Sequence, residues 1–177
     1  MIVREATAED VPAIQAIYAY HVLHGLASFE EVPPDLEEMR RRFEEVTARG
    51  LPYLVAGNGT EVLGYGYCNR FRPRSAYRFS LENSVYIRAD MHGKGLGKAL
   101  LAALIERCTA LGYRQMIAVI GDSGHIASIA LHASLGFVRV GTLRSSGIKF
   151  GRWVDTVMMQ RALGAGDGTL PAGDPAT

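Results

Sequence analysis

Residues 88–101 read RADMHGKGLGKALL. Gly93, Gly95 and Gly97 stand at alternate positions among Lys94 and Lys98, and the chain then enters an apolar helical pattern. Glycine is costly inside a helix, so a cluster of them at the mouth of one needs a reason. Bare backbone at a helix start can approach a ligand closely and aim unpaired N–H groups at an anion. The two lysines add local positive charge. The plain alternative is a flexible turn ahead of a helix.

Phosphate-loop patterns separate on spacing. A Walker loop needs GxxxxGK followed by Ser or Thr, whereas Gly97-Lys98 is followed by Ala99 and position 92 is histidine. The dinucleotide fingerprint needs GxGxxG, but Gly93-Lys94-Gly95-Leu96-Gly97 runs GxGxG with no acidic residue about twenty positions on at a strand end. What fits is a strand, then Gln/Arg-x-x-Gly-x-Gly, then a helix, with His92 in the first slot.

Outward from that stretch, residues 2–6 read as a short strand. Thr7 and Asp10 make a capping-box-like start for a helix that carries Val11, Ile14, Ile17 and Tyr18 on one face to about His24. GLASFEEVPP is a loop. Asp35 caps a second helix, with Leu36, Met39, Phe43 and Val46 on one face and Gly50 ending it. LPYLVAGNGTEVLGYGYCNRF predicts a hairpin turning at Gly57-Asn58-Gly59. An arginine-rich link, RPRSAYR, leads to the strand FSLENSVYIR and so to the glycine stretch. The following helix runs to about Leu111 and Gly112 stops it. RQMIAVIG is a strand, HIASIALHASLG a helix, FVRVGTLRS a strand and IKFGRWVDTVMMQRAL a last long strand. The pattern predicts an α/β (α+β) chain: a mixed, mostly antiparallel sheet of about seven strands flanked by about four helices. One domain is expected over 1–163, with a flexible tail over 164–177.

The chain has 177 residues, 48% of them apolar and 21% charged, which suits one domain with a proper core. A net charge of +1 argues against a global field for nucleic acid or an acidic membrane surface, so any basic site is local. Cys68 and Cys108 form no CxxC motif, and two reduced thiols are the expectation. No signal peptide or membrane span is visible, and a cytoplasmic protein is expected. His21, His24, His92 and His125 show no ligand spacing with carboxylates or cysteines, so no metal is expected.

The order of elements and the glycine motif resemble the GNAT N-acetyltransferases, whose glycine loop holds the pyrophosphate of acetyl-CoA. Within that superfamily the chain is similar to the phosphinothricin and methionine sulfoximine acetyltransferases. SLENSVYIR, GKGLGKALL, AVIG, ASIALHASLGF and IKFGRWVD carry the likeness, which covers roughly residues 2–161. The family usually has Asn where His125 begins a helix, a departure at the pantetheine arm.

The resemblance implies acetyl-CoA as cosubstrate. It would be held by main-chain groups of Val85, Tyr86 and Ile87, by His92, Gly93, Lys94, Gly95, Leu96, Gly97 and Lys98, and by Val119, His125 and Ser128. An extended pantetheine can bond a strand edge as a peptide does. It also implies a catalytic glutamate at Glu82 acting through water; the plainer reading is an exposed strand carboxylate. An amine must lose its proton to attack, so a positioned base helps near neutral pH. His132 stands where many relatives carry an acid that protonates the leaving thiolate; it could instead be a second base or a structural residue. No cysteine sits where it could carry the acetyl group, so attack is expected to be direct.

Arginine forks suit carboxylates and phosphinates. The resemblance implies that the link RPRSAYR contributes to the acceptor site, which would make Arg72, Arg74 and Tyr77 candidates, with Phe29 matching an aromatic there. The plain alternative is a solvated basic loop. The resemblance also implies that the hairpin region of Lys149 and Trp153 borders the acceptor pocket and a dimer contact, though Trp153 could equally pack in the core. The implied activity is acetylation of the α-amino group of phosphinothricin, methionine sulfoximine or methionine sulfone, with detoxification and herbicide resistance as outcomes and a homodimer as the assembly. The rival readings are an acetyltransferase of protein or peptide amines and a non-catalytic CoA-binding module.

Overall fold

Strand β1 (Ile2–Glu5) leads into the Thr7–Asp10 turn, where Asp10 accepts the Thr7 N–H at 2.8 Å and closes the capping box. Asp10 also takes both arms of the Arg4 guanidinium, at 2.7 and 2.8 Å. Helix α1 (Val11–His24) follows, then α2 (Leu36–Thr47), whose cap Asp35 accepts from the Glu38 N–H at 2.8 Å. The hairpin β2 (Tyr53–Gly57) and β3 (Val62–Arg70) turns where Asn58 Oδ1 gathers the N–H groups of Thr60 and Glu61. Next come β4 (Ser80–Ile87), α3 (Leu96–Ala110), β5 (Gln115–Gly121), α4 (Ile126–Ser134), β6 (Val138–Lys149) and β7 (Arg152–Ala162). The computed structural model describes residues 1–175.

The seven strands form one sheet in the order β1-β2-β3-β4-β5-β7-β6. Only β4 and β5 run parallel, joined through α3; the other pairs are antiparallel. Helices α1 and α2 cover one face, and α3 and α4 the other. Alternation along β4 therefore sends Glu82, Ser84 and Tyr86 to the α1 side, and Leu81, Asn83 and Val85 to the α3–α4 side. The core is continuous on both faces, from Val11, Ile14 and Tyr65 on one to Leu100, Leu104 and Met116 on the other.

One boundary differs from the sequence reading. The expected last strand, IKFGRWVDTVMMQRAL, is cut at Phe150-Gly151, both with positive φ (52° and 71°), the backbone of a tight hairpin turn. Residues 148–149 belong instead to β6, which continues through Ser145 and Ser146 by a bulge between Leu143 and Gly147. Serine and glycine read as the turn; a phenylalanine occupies it. Strand β6 forms one edge of the sheet, and Val138, Val140, Leu143 and Ile148 on it are exposed.

Candidate active site

The parallel pairing of β4 and β5 ends at Asn83↔Ala118. Beyond that point β4 stays with β3 as far as Ile87, and β5 stays with β7 as far as Gly121, so the two strands part. The gap is a slot of about 60 Å³ lined by Asn83, Ser84, Val119, His125, Ser128 and His132. It opens into a groove of about 880 Å³ that runs past Tyr86 and Ile87 to the glycine loop. A groove of that size can bury most of a cofactor-sized molecule.

The three glycines have two different jobs. Gly93 and Gly95 hold φ of +76° and +81°, which other residues adopt only with strain, and a Cβ on either would meet nothing within 4 Å. The backbone conformation and open access are what they supply. Gly97 instead sits 3.2 Å (as a Cβ) from Leu131, allowing α3 to lie close to α4. The first helical hydrogen bond is Ala99 N–H to Gly95 O, so the N–H groups of Leu96, Gly97 and Lys98 point out of the helix start without an intrahelical partner. Leu96 and Lys98 also line the groove, while Lys94 turns its ammonium to the Met91 sulfur at 3.2 Å.

The Ile87 carbonyl, at the end of β4, accepts from His21 Nε2 at 2.8 Å and from His92 Nε2 at 3.2 Å, and the two rings stack at 6.1 Å. Burial pulls His21 below the usual imidazole range. Sequence reasoning gave His92 a place here and missed His21, which comes from α1 and shares no local motif with the loop.

On the α1 side of the sheet, Glu82 is largely buried, and that burial pushes its carboxyl above the usual range while the Arg72 charge pulls it back. Arg72 lies over the Phe71 ring at 5.1 Å, and Tyr77 meets that ring edge-on. Arg74 opens the short turn Ser75–Tyr77 and is exposed. Of the arginine cluster, Arg72 is thus the one whose charge acts on Glu82; Arg78 is engaged by Asp174 at 2.7 Å.

The α1–α2 loop closes over the same face through contacts distant in sequence. Lys149 is buried, 2% exposed, and its ammonium donates to the Ser28 carbonyl at 2.7 Å. Ser28 Oγ meets the Tyr18 hydroxyl at 2.8 Å; that hydroxyl donates to Glu30, and Glu30 pairs with Arg42 at 2.6 Å. The Phe29 ring lies where side chains at Gly121 and Gly147 would stand, 3.0 and 2.4 Å from their Cβ positions. Lys149 thus anchors the loop, and Trp153 is 61% exposed on β7 rather than packed in the core.

His132 and Asn83 face each other at the slot from α4 and β4, each 5% exposed. His132 Nδ1 donates to the Ser128 carbonyl at 2.8 Å, and Nε2 lies 2.9 Å from Asn83 Nδ2. Burial lowers the imidazole pKa. Nothing in the sequence marked Asn83, because its partner lies 49 residues away.

Residues 3–158 match the family model of the acetyltransferase (GNAT) domain. The chain is 59% identical over 169 residues to a phosphinothricin N-acetyltransferase of Alcaligenes faecalis, spanning 96% of this chain and 86% of that protein. It is 45% identical over 159 residues to an L-methionine sulfoximine/L-methionine sulfone acetyltransferase of Pseudomonas paraeruginosa, spanning 89% and 92%. A crystal structure of a GNAT phosphinothricin acetyltransferase from Sinorhizobium meliloti in complex with AcCoA superposes with a TM-score of 0.94 at 50% identity, over 98% of this chain and 94% of that one. The parted strands, the left-handed glycine loop and these likenesses over nearly the whole chain lead to one assignment: the protein belongs to the GNAT acetyltransferases.

Proposed function

We propose that the protein transfers the acetyl group of acetyl-CoA to the α-amino group of a small amino acid with an anionic or tetrahedral side chain, of the phosphinothricin, methionine sulfoximine and methionine sulfone kind. One observation carries this reading. A single groove runs from the glycine loop through the β4–β5 gap, and Glu82 and Arg72 lie beside that gap on the other sheet face.

The residues present suit a long anionic thioester. Gly93 and Gly95 leave open backbone, and Leu96, Gly97 and Lys98 offer free N–H groups for a diphosphate at the helix start. Lys94, Lys98 and His92 border it. Val85, Tyr86 and Ile87 on β4 and Val119 on β5 face the gap where the pantetheine would lie, with His125 and Ser128 at its rim. Asn83 also lines this gap, and its buried Oδ1 has no hydrogen-bond partner among the described residues.

In this reading Glu82, ionised, draws the proton from the incoming ammonium, through a water. Its raised pKa makes it a stronger base than an exposed glutamate and costs it ionisation only on the acid side. Arg72, Arg74 and Tyr77 would fork onto the acceptor's anionic groups, and Phe29 would supply an apolar wall. His132 would give a proton to the departing sulfur. Acetylation masks the amine, so detoxification is the proposed consequence and herbicide resistance its expression. The exposed row Val138, Val140, Leu143 and Ile148, with Trp153, supports a homodimer through the β6 edge. The free, buried Cys68 and Cys108 accord with a reducing, cytoplasmic setting.

The test is thiol release from acetyl-CoA across phosphinothricin, methionine sulfoximine, methionine sulfone, ordinary amino acids and short peptides. Turnover with the first three, at kcat/KM at least tenfold above any peptide, is expected. Preference for peptides would move the acceptor class, and heat of acetyl-CoA binding without turnover on any amine would leave a binding module.

A further inference from the structure

The Asn83–His132 pair has a feature that neither residue explains alone. A carbonyl only accepts, so His132 Nδ1, 2.8 Å from Ser128 O, carries a hydrogen. Nε2 is then the bare nitrogen of a neutral ring and accepts from Asn83 Nδ2 at 2.9 Å. That leaves Asn83 Oδ1 as the single buried side-chain polar atom without a partner among the described residues. A buried acceptor left unpaired is costly. Turning the amide by half a revolution brings Oδ1 to Nε2, which is useless to a neutral ring and well suited to an imidazolium with a hydrogen on Nε2. Protonating His132 therefore supplies the donor that Oδ1 lacks.

We infer that Asn83 is a positioning residue that holds His132 with Nε2 bare at rest and turns its amide to hold the proton that His132 then delivers to the departing CoA sulfur. This rests on His132 as the acid of the proposed reaction. As the new C–N bond forms and the C–S bond breaks, the proton on Nε2 passes to sulfur. His132 returns to neutral, and the amide turns back. The attacking ammonium gives up two protons, one before attack through Glu82 to water and one from the adduct to water, and His132 reloads one from solvent, so one proton is released per turnover. The slot's 60 Å³ is room for a water that carries this exchange.

The surroundings leave Asn83 in charge of the switch. From α4, His125 bears on His132 by charge and opposes its protonation, while the Ser128 carbonyl favours it. From β4 comes the uncharged Asn83, from β5 Ala118, Val119 and Ile120, and from the turn after α4 the Phe137 ring, edge-on at 5.0 Å. Glu82 points to the opposite face of the sheet.

The test is nitrogen-15 NMR of the histidine rings, paired with kcat against pH. In the parent protein at pH 7.5, His132 is expected as the tautomer protonated on Nδ1. Asn83→Asp offers a carboxylate that accepts from Nε2 without turning, so His132 is expected to titrate about one pH unit or more higher, with the matching limb of kcat moving equally. Asn83→Ala is expected to lower kcat about tenfold, a fraction of a general acid's contribution, with acetyl-CoA affinity unchanged. A parent His132 protonated on Nε2 at rest, or an Asn83→Asp protein whose His132 titrates as in the parent, overturns the inference; the parent spectrum decides if the variant does not fold. His132→Ala separates the two claims. If it retains kcat, the acid assignment itself falls, whereas loss of kcat with an unmoved titration in Asn83→Asp removes only the role of Asn83.

Discussion

The glycine loop and the α1–α2 loop are built in opposite ways. At the glycine loop the open groups bordering the groove are backbone, set by three glycines within five consecutive residues and by the start of one helix. At the α1–α2 loop the surface is made of side chains that meet across long sequence distances: Lys149 reaches Ser28 over 121 residues, and Phe29 fits against Gly121 and Gly147. The first loop is a local device and tolerates little, because each residue's φ is part of it. The second is an assembly whose parts can be loosened one at a time. Substitutions at the two loops should therefore fail differently, one in acetyl-CoA binding and the other in acceptor KM.

The sharpest break in binding is Gly95→Asp. The left-handed φ of +81° costs about 1–2 kcal/mol for a residue with a Cβ, and a carboxylate at the helix start repels an anion by about another 1 kcal/mol. Together these predict a roughly hundredfold weaker acetyl-CoA Kd by calorimetry. Gly95→Ala isolates the strain, since its Cβ meets nothing, and should weaken binding about tenfold at most. If both variants bind like the parent, the glycine loop is not the diphosphate site.

Glu82→Gln tests the carboxylate on the opposite sheet face from the β4–β5 slot. A general base contributes about 10²–10⁴-fold, so kcat/KM for the best acceptor should fall by about a hundredfold or more while acetyl-CoA Kd stays within about twofold. A small loss would hand deprotonation to solvent and strip Glu82 of its role.

At the α1–α2 loop, Gly147→Ala puts a Cβ 2.4 Å from a ring carbon of Phe29, and the ring or the loop must move. Overpacking of this kind costs about 1–3 kcal/mol. Acceptor KM should rise about tenfold with acetyl-CoA KM unchanged. Adding Phe29→Ala to Gly147→Ala should restore thermal stability, because the clash is gone, but not acceptor KM. Recovery of both would make Phe29 a packing residue alone.

The same division between local and long-range construction decides which features are legible in the sequence. Asp35, Gly112, the Asn58 turn and the glycine loop are each settled within a few residues, and each stands as the spacing predicts. The β6–β7 hairpin is disguised, because the bulge at Ser145 carries turn-forming residues while the real turn carries Phe150 in a left-handed conformation. Asn83, His21 and the anchoring use of Lys149 leave no local mark. Their partners come from other elements, and only the packing of α4, α1 and the loop against the sheet brings them together.

The smallest effect probes how far the two regions communicate through Glu82. Its carboxyl is raised by burial and held down by Arg72. A base works only when ionised, so activity present above the folded pKa is lost as pH falls through it. The acid limb of kcat/KM should therefore lie above the ordinary glutamate range, and the reference α-amino group, near 7.7–8.0, titrates above it. Arg72→Gln removes the opposing charge, so the limb should move further up, by less than about one pH unit given how exposed charges are screened. The plateau should fall as well if Arg72 also grips the acceptor. A lowered plateau with an unmoved limb would place Arg72 on the acceptor and away from Glu82, whereas a moved limb with an intact plateau would reverse that division of labour.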